Sequence, residues 1–144
     1  MLDCSQNIRE IYLGVLDGSL LYDNKNVPVY GQTPFETTPQ NYVIIGNISE
    51  SADNNNQRFN NDVDVTIEIY SEQYRTNDLS VVDNSSSQIL DILIQYPSII
   101  SFDNAYWQVL PKARTSSLYS SIQNGEVFIA RKIIIINNFC NQIN

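Results

Sequence analysis

A run of ten residues late in the sequence, Val127–Ile136 (VFIARKIIII), has β-branched or aromatic side chains at most positions. Such side chains favour extended backbone, because they pack well on a pleated surface. Asn124 and Gly125 lie just before the run, and this dipeptide favours a tight hairpin turn. On the other side of the turn, Arg114–Ile122 is predicted to be the partner strand. We therefore expect Val127–Asn137 to be the central strand of an antiparallel sheet.

Three further segments have strand patterns. Val63–Tyr70 alternates apolar and polar residues, which predicts a strand with one buried and one solvated face. Tyr42–Gly46 is almost continuously apolar, which predicts a strand that is covered on both faces. Tyr106–Leu110 is a shorter strand-like run. Ser49–Asn61 is polar almost throughout, and we predict a long loop there.

The first predicted helix is Ser5–Leu16. Its apolar residues recur every three or four positions, which places them on one face. Asp3 or Ser5 is suited to cap its first turn, and Asp17 with Gly18 is predicted to end it.

The second predicted helix follows the alternating strand. It begins at Asp78 or Ser80, or later within Asp83–Ser87. Pro97 is predicted to stop it, because the residue before a proline is displaced from the helical region. Its wide apolar face comprises Ile89, Leu90, Ile92, Leu93 and Ile94.

Two short β-type runs, Ser19–Tyr22 and Val27–Tyr30, flank a turn-rich tetrapeptide. Pro28 cannot donate a ladder hydrogen bond, so we expect the second run to be an edge strand or irregular. Strands outnumber helices, and the sequence predicts an α+β fold in which two helices pack on one face of an antiparallel sheet. The length of 144 residues indicates a single domain, 1–144, with a polar loop insertion at about 49–61.

The chain contains no histidine, which excludes Ser-His-Asp and Cys-His nucleophile pairs and every metal site that needs an imidazole. It also lacks glycine-rich phosphate-binding motifs. Its net charge of -8 argues against binding nucleic acid through a large basic face. No stretch approaches the roughly 20 apolar residues of a membrane span. We therefore predict a protein that is not an enzyme, with no catalytic residue, no cofactor, no metal and no membrane partner.

Two sets of residues admit a functional interpretation beside a structural one. A carboxylate row on one strand face could suit a divalent cation, but a solvated strand face needs polar residues in any case, and we favour that interpretation. Aromatic residues near the strands could stack on a glycan or a base, but we favour a role in the core or a subunit interface. The row comprises Asp62, Asp64, Glu68 and Glu72, and the aromatic set comprises Tyr70, Tyr74, Tyr106, Trp107, Tyr119 and Phe128.

Cys4 and Cys140 lie at opposite ends of the sequence. A disulfide between them requires the two ends to meet in the fold. We interpret them as two free thiols of a protein made in a reducing cytoplasm.

The charge is unevenly distributed. Residues 1–110 carry 4 basic and 15 acidic groups, a net -11, whereas residues 111–144 carry 4 basic and 1 acidic, a net +3. An acidic body and a basic last segment are complementary between copies of the same chain. Arg131 and Lys132 project to opposite faces of the last strand, so one of them needs a partner, which a neighbouring acidic subunit could provide. The candidate contacts with a neighbouring subunit or ring are Arg131, Lys132, Lys112, Arg114, Asp53, Asn55 and Arg58.

The order of these segments resembles the small tail-completion and tail-terminator proteins of bacteriophages. The resemblance covers nearly the whole chain: an amphipathic helix with Ile8–Tyr12, a Val-Pro-Val-Tyr segment at Val27–Tyr30, and a proline followed by Tyr42–Gly46. An alternating strand that ends at Ile69–Ser71, a second helix and a terminal hairpin complete it. The polar insert at Ser49–Asn61 departs from the family pattern.

The resemblance implies a virion protein that is assembled in the bacterial host cytoplasm. Copies would form a ring that joins the head connector to the tail. It would typically have six copies at the head-proximal end of the tail, or twelve in the neck of a short-tailed phage. An acidic ring interior would repel DNA phosphate and let the genome pass without specific binding. The polar loop would contact an adjacent ring. Two alternatives stay open: a baseplate or tail-hub adaptor of the virion, and a small soluble glycan-binding module.

Overall fold

The structure is a computed structural model, and it describes residues 4–32, 39–52, 60–95, 98 and 100–143. Two helices and eight strands lie within these residues. In chain order they are α1 (Ser5–Leu16), β1 (Leu21–Tyr22), β2 (Lys25–Asn26), β3 (Val29–Tyr30), β4 (Asn41–Ala52), β5 (Asn60–Tyr74), α2 (Ser80–Leu93), β6 (Phe102–Asp103), β7 (Trp107–Asn124) and β8 (Val127–Gln142).

Six of the strands form one sheet in the order β3-β4-β5-β8-β7-β6, and β1 and β2 form a separate hairpin. β8 pairs with β5 on one side and with β7 on the other along nearly its whole length. The prediction that the last run is the central strand is therefore confirmed. Gly125, at φ 62°, provides the left-handed residue of the turn that joins β7 to β8.

The sheet is mixed, so the predicted antiparallel sheet is confirmed only in part. β3 pairs in parallel with β4, through Val29 beside Val43 and Tyr30 beside Ile44, while the other neighbours are antiparallel. The chain leaves β3 and returns to enter β4 in the same direction, which a hairpin turn does not allow. β3 is an edge strand, as the proline at position 28 predicts.

One face of the sheet carries the core. Val63, Val65, Ile67 and Ile69 of β5 are buried, and their alternate neighbours are partly or fully exposed. Residues of α1 and α2 belong to the same buried cluster as this strand face. We call the opposite side of β4, β5, β8 and β7 the helix-free face. Ile44, on that side, is also buried, so both faces of β4 are covered near its start, as predicted.

α1 has the predicted bounds, and its C-cap is Asp17, followed by Gly18 at φ 83°. Its N-cap is Cys4, with no side-chain cap hydrogen bond, so the predicted cap by Ser5 is wrong, and Asp3 lies outside the described residues. α2 begins at Ser80, whose backbone N–H donates to Asp78 Oδ1 at 2.9 Å.

Two predictions about loops and breaks need correction. Both ends of the loop predicted at about 49–61 are strand, because β4 continues to Ala52 and β5 begins at Asn60; residues 53–59 lie outside the described residues. The two strands predicted at Tyr106–Leu110 and Arg114–Ile122 are one strand, β7. Bulges next to Pro111 and Arg114 absorb the irregular residues without ending the pairing with β8.

Candidate functional site

The second half of β7 is an open sheet edge. From Lys112 to Asn124 every side chain is exposed except that of Ser120, which is half-buried. β8 lies on one side of this segment, whereas β6 pairs only with Gln108 and Val109 further up the strand. No other strand of the described chain lies beside it. We call residues 112–124 the β7 edge, and a row of unpaired backbone donors and acceptors of this length is a template for another strand.

The opposite border of the sheet is partly closed by α1. β3 covers β4 only at Val43 and Ile44. Beyond that point Arg9 Nη1 donates to the carbonyl oxygens of Ile45 and Gly46, at 2.5 and 2.9 Å, beside a bulge in β4. Among the described residues, the remaining stretch, 47–52, has a neighbouring strand, β5, on one side only. We call it the β4 edge.

Apolar side chains form a stripe on the helix-free face beside the β7 edge. Leu118 and Ile122 are 58% and 61% exposed. They lie directly across from Ile133 and Ile129 of β8, which are half-buried, and Ile135 continues the row. Exposed apolar residues that are contiguous in this way mark interaction surfaces more often than scattered ones do.

Lys132 and Arg131 lie on opposite faces of β8, as predicted, and both find partners within the chain. Arg131 lies on the helix-free face, where its guanidinium is 3.5 Å from Glu68 and donates to Ser120 Oγ at 2.9 Å. Lys132 lies under α2, with only 9% of its side chain exposed, and its Nζ donates to Asp83 Oδ1 at 2.9 Å. The partner that we expected from a neighbouring subunit is therefore supplied by α2.

Tyr119 completes the Lys132 site. Its hydroxyl donates to Asp83, and Lys132 Nζ lies 4.9 Å from the centre of its ring. The hydrogen bonds from Tyr119 and Lys132 hold the pKa of Asp83 below its ordinary value. Burial disfavours the Lys132 ammonium, but Tyr119 and Asp83 more than offset this and raise its pKa.

The other predicted contact residues divide into two groups. Lys112 Nζ is 3.1 Å from Asp62 Oδ1 and 5.1 Å from the centre of the Phe139 ring. Arg114 is exposed, and no carboxylate in the described part of the chain forms an ion pair with it. Both cations lie at the start of the β7 edge. Asp53, Asn55 and Arg58 lie outside the described residues.

The two cysteines come together although they are 136 positions apart in the sequence. Both are buried free thiols in the same cluster, as the free-thiol interpretation predicts. Burial, followed by the neighbouring Cys4, raises the pKa of Cys140 to about 12. Cys4 Sγ donates to Glu50 Oε1 at 2.8 Å, and Ser5 Oγ donates to the same oxygen at 2.9 Å.

Several residues that position these surfaces carry no signal in the sequence. Arg9 reads as a solvated position of an amphipathic helix, but it binds backbone oxygens of the sheet. Asp83 reads as a polar residue of α2, but it neutralises a cation 49 positions away. Glu50 reads as part of a polar loop, but it holds the start of α1. Only the three-dimensional path of the chain brings these partners together.

The carboxylate row predicted on β5 exists on the helix-free face. Three of its members bind side chains of neighbouring strands: Asp62 to Lys112, Asp64 to Asn137 at 2.9 Å, and Glu68 to Arg131. Within the described ranges, no group of three or more cysteine and acidic residues is placed to hold a metal ion. The same residues include no helix that is both long and apolar enough to cross a membrane.

The predicted aromatic set is divided between core and surface. Trp107 is buried, and Tyr74 and Tyr106 are exposed. Tyr70 stacks on Tyr42 with ring centres 5.0 Å apart, and the edge of a third ring, that of Tyr30, meets Tyr42 at 6.3 Å. These three tyrosines cover the start of β4 on the helix-free face.

No protein-family model matches the chain, and no curated protein is similar to it in sequence.

Proposed function

We propose that the chain is a non-enzymatic structural subunit of a bacteriophage virion. Copies form a ring of six or twelve in the neck or tail, which joins the head connector to the tail and lets DNA pass. The observation that carries this proposal is the open β7 edge, because a long, unprotected edge strand suits a subunit that is completed by a neighbour. The apolar stripe beside it offers further surface to bury.

The order of elements supports the same proposal. α1, the segment around β3, the strands β4 and β5, α2 and the β7–β8 hairpin follow one another as in the phage tail-completion and tail-terminator proteins that the sequence resembles. The added parallel pairing of β3 leaves this order unchanged.

The charge of the chain supports the proposed passage of DNA. A net charge of -8 opposes retention of phosphate, and the acidic groups Asp64 and Glu68 lie on the helix-free face. We expect the assembled protein not to retard duplex DNA in a gel at low salt, where electrostatic binding is strongest. Retardation that weakens with added salt would contradict this part of the proposal.

Assembly is the decisive test. Size-exclusion chromatography with light scattering gives the mass of the particle, and negative-stain imaging shows whether it is a closed ring. A closed ring supports the proposal, and the mass of the particle shows whether the ring contains six or twelve copies. A stable monomer over the micromolar range contradicts it. A monomer that binds sugars would instead support the glycan-binding alternative.

The position of the ring needs a second experiment, because a baseplate or tail-hub adaptor could form a ring as well. Labelled protein should bind purified tails or heads at their joining ends. The polar segment Ser49–Asn61 is predicted to contact the adjacent ring, and its deletion should leave the fold of the monomer intact while blocking head-to-tail joining. Binding at the distal tip of the tail would favour the adaptor alternative.

A further inference from the structure

We propose that the β7 edge of one copy pairs antiparallel with the β4 edge of the next copy, so that the sheets of adjacent subunits join head to tail. The inference rests on the proposed ring and names the surface that closes it. The occupant of each edge is thus a second copy of the same chain.

Strand direction is the first argument. The four long strands lie in the order β4-β5-β8-β7, and each is antiparallel to its neighbour. β4 and β7 therefore run in opposite directions. When β4 of the next copy is placed beside β7, this new pair is antiparallel as well. The sheet can then continue through any number of copies, which is the condition for a ring built from heterologous contacts.

Register is the second argument. Ladder partners connect Ser49 to Asp64, Asp64 to Asn137, and Asn137 to Ala113. Ser49 of the β4 edge and Ala113 of the β7 edge therefore lie at the same level of the sheet, both exposed. The two open edges thus face outward at one height on opposite borders of the molecule. Bulges occur in both strands at this level, and bulges help a sheet to curl.

Charge is the third argument. Between positions 112 and 124 the β7 edge carries two cations, Lys112 and Arg114, and no carboxylate. β4 carries one carboxylate, Glu50, and no cation. Glu50 and Arg114 lie on the core side of the sheet, because their ladder partners Val63 and Ile136 are buried there. Glu50 is one rung from Ser49, so head-to-tail pairing brings it close to Arg114 of the next copy. Pairing two β7 edges with each other would instead place these cations beside the neutral residues at 122–124.

Two engineered cysteines test the pairing. Residues that face each other across an antiparallel ladder have Cα atoms about 4.5–5.5 Å apart, which suits a disulfide. The double variant Ser49→Cys with Ala113→Cys should give a ladder of covalent multimers under mild oxidation. Either single variant should give no multimers, and a mixture of the two single variants should stop at dimers. The matched control, Ser49→Cys with Ser121→Cys, places the second thiol at the far end of the β7 edge and should not cross-link.

A charge reversal provides a second measurement that does not depend on disulfide geometry. Arg114 has no ion pair within the described chain, so Arg114→Glu should leave the fold intact. It should weaken association by roughly tenfold, because it places a like charge near Glu50 of the neighbour. Lys25→Glu makes the same change of charge on the distant β1–β2 hairpin and should leave association unchanged.

The outcomes separate the two proposals. A covalent ladder with weakened association of Arg114→Glu supports the edge pairing. Rings that persist while the Ser49–Ala113 pair gives no ladder overturn the edge pairing but leave the proposed ring in place. Cross-linked dimers from Ala113→Cys alone also overturn it, because they require two β7 edges to meet. A chain that stays monomeric at every concentration overturns the proposed ring itself.

Discussion

The ion pair between Lys132 and Asp83 ties the centre of the sheet to α2. Lys132 is enclosed, whereas Asp83 is about half-exposed, so water reaches only one member of the pair. Removal of the carboxylate would leave an enclosed ammonium with Tyr119 as its remaining neighbour. A buried charge that has lost its partner destabilises the fold by more than the intact ion pair stabilises it.

We expect Asp83→Asn to lower the free energy of unfolding by about 1–2 kcal/mol at pH 7, discounted for the exposure of Asp83. Urea denaturation measures this difference, from the midpoint of unfolding and the slope of the unfolding free energy against urea concentration. Asp91→Asn, an exposed carboxylate on the same helix, is the matched control. Equal midpoints for the two variants would contradict the assigned role of Asp83.

The pH dependence of this pair has a definite sign. The pKa of Asp83 is lowered in the folded state, so its contribution is complete above the unfolded value of 3.8 and is lost as the pH falls through the folded pKa. The pKa of Lys132 is raised, so its contribution is complete below 10.5 and is lost as the pH rises through the folded pKa. The difference between the parent protein and Asp83→Asn should therefore shrink at both ends of the pH range.

At the scale of elements, Arg9 joins α1 to the border of the sheet. Its Nη1 reaches three carbonyl oxygens, of Gly31, Ile45 and Gly46. The planar guanidinium of arginine carries several N–H donors in a fixed arrangement, whereas lysine carries a compact ammonium group on a flexible stem. Lysine therefore does not replace arginine where several oxygens surround one cation.

Arg9→Lys should therefore lower the free energy of unfolding by about 1–2 kcal/mol, because the lysine ammonium does not reach all three of these partly buried carbonyl oxygens. Arg75→Lys is the control, since Arg75 forms an ion pair with Glu126 on the surface. Hydrogen exchange of the amides around the β4 bulge should speed up in Arg9→Lys only. Unchanged exchange there would mean that Arg9 does not hold the border.

Two glycines should respond with opposite signs to the same substitution. Gly125→Ala should destabilise by about 1 kcal/mol, because its φ of 62° strains any residue with a Cβ. Gly14→Ala should stabilise by about 0.5 kcal/mol, because Gly14 is an exposed position of α1 with open space around its Cβ position. Thermal unfolding of both variants beside the parent protein checks this prediction. Midpoints that shift in the same direction in both variants would contradict it.

The sequence predicts elements whose signal is local. The alternation in β5, the apolar spacing of α1 and the Asn-Gly turn each depend on residues a few positions apart, and each gives the observed element. The parallel pairing of β3 with β4 is not predictable in this way, because it depends on the path of the chain between them. The sequence predicts two strands where the structure has β7 alone, because no local pattern shows that bulges carry the ladder past Pro111 and Arg114. Within the candidate site, the sequence identifies the cations Arg131 and Lys132. It does not show which carboxylates pair with them, because Glu68 and Asp83 lie far away in the sequence.

At the scale of the whole molecule, the fold encloses both of its cysteines. Cys4 is the N-cap of α1 and Cys140 lies near the end of β8, and each is fully buried. The raised pKa of Cys140, about 12, leaves almost no thiolate at neutral pH.

Alkylation should therefore be slow in the folded protein and should modify both cysteines together. With iodoacetamide at pH 8, mass spectrometry should show unmodified and doubly modified chains, with little of the singly modified form. The rate should rise with urea in parallel with unfolding, because opening of the core exposes both thiols. Early modification of Cys4 alone would show that the start of α1 detaches before the sheet opens.

β8 joins the two halves of the sheet, and it follows every other strand in chain order. During translation, β4 and β5 can pair as soon as Tyr74 has left the ribosome, but the second side of β5 stays open until residues 127–142 emerge. A nascent chain therefore exposes an unpaired edge of β5 while residues 75–126 are synthesised, and chaperones have a surface to recognise. Chains truncated before β8 lack the strand that holds β7 in place, so they cannot present the β7 edge. The strand β8 must therefore emerge before a copy can take part in the proposed assembly.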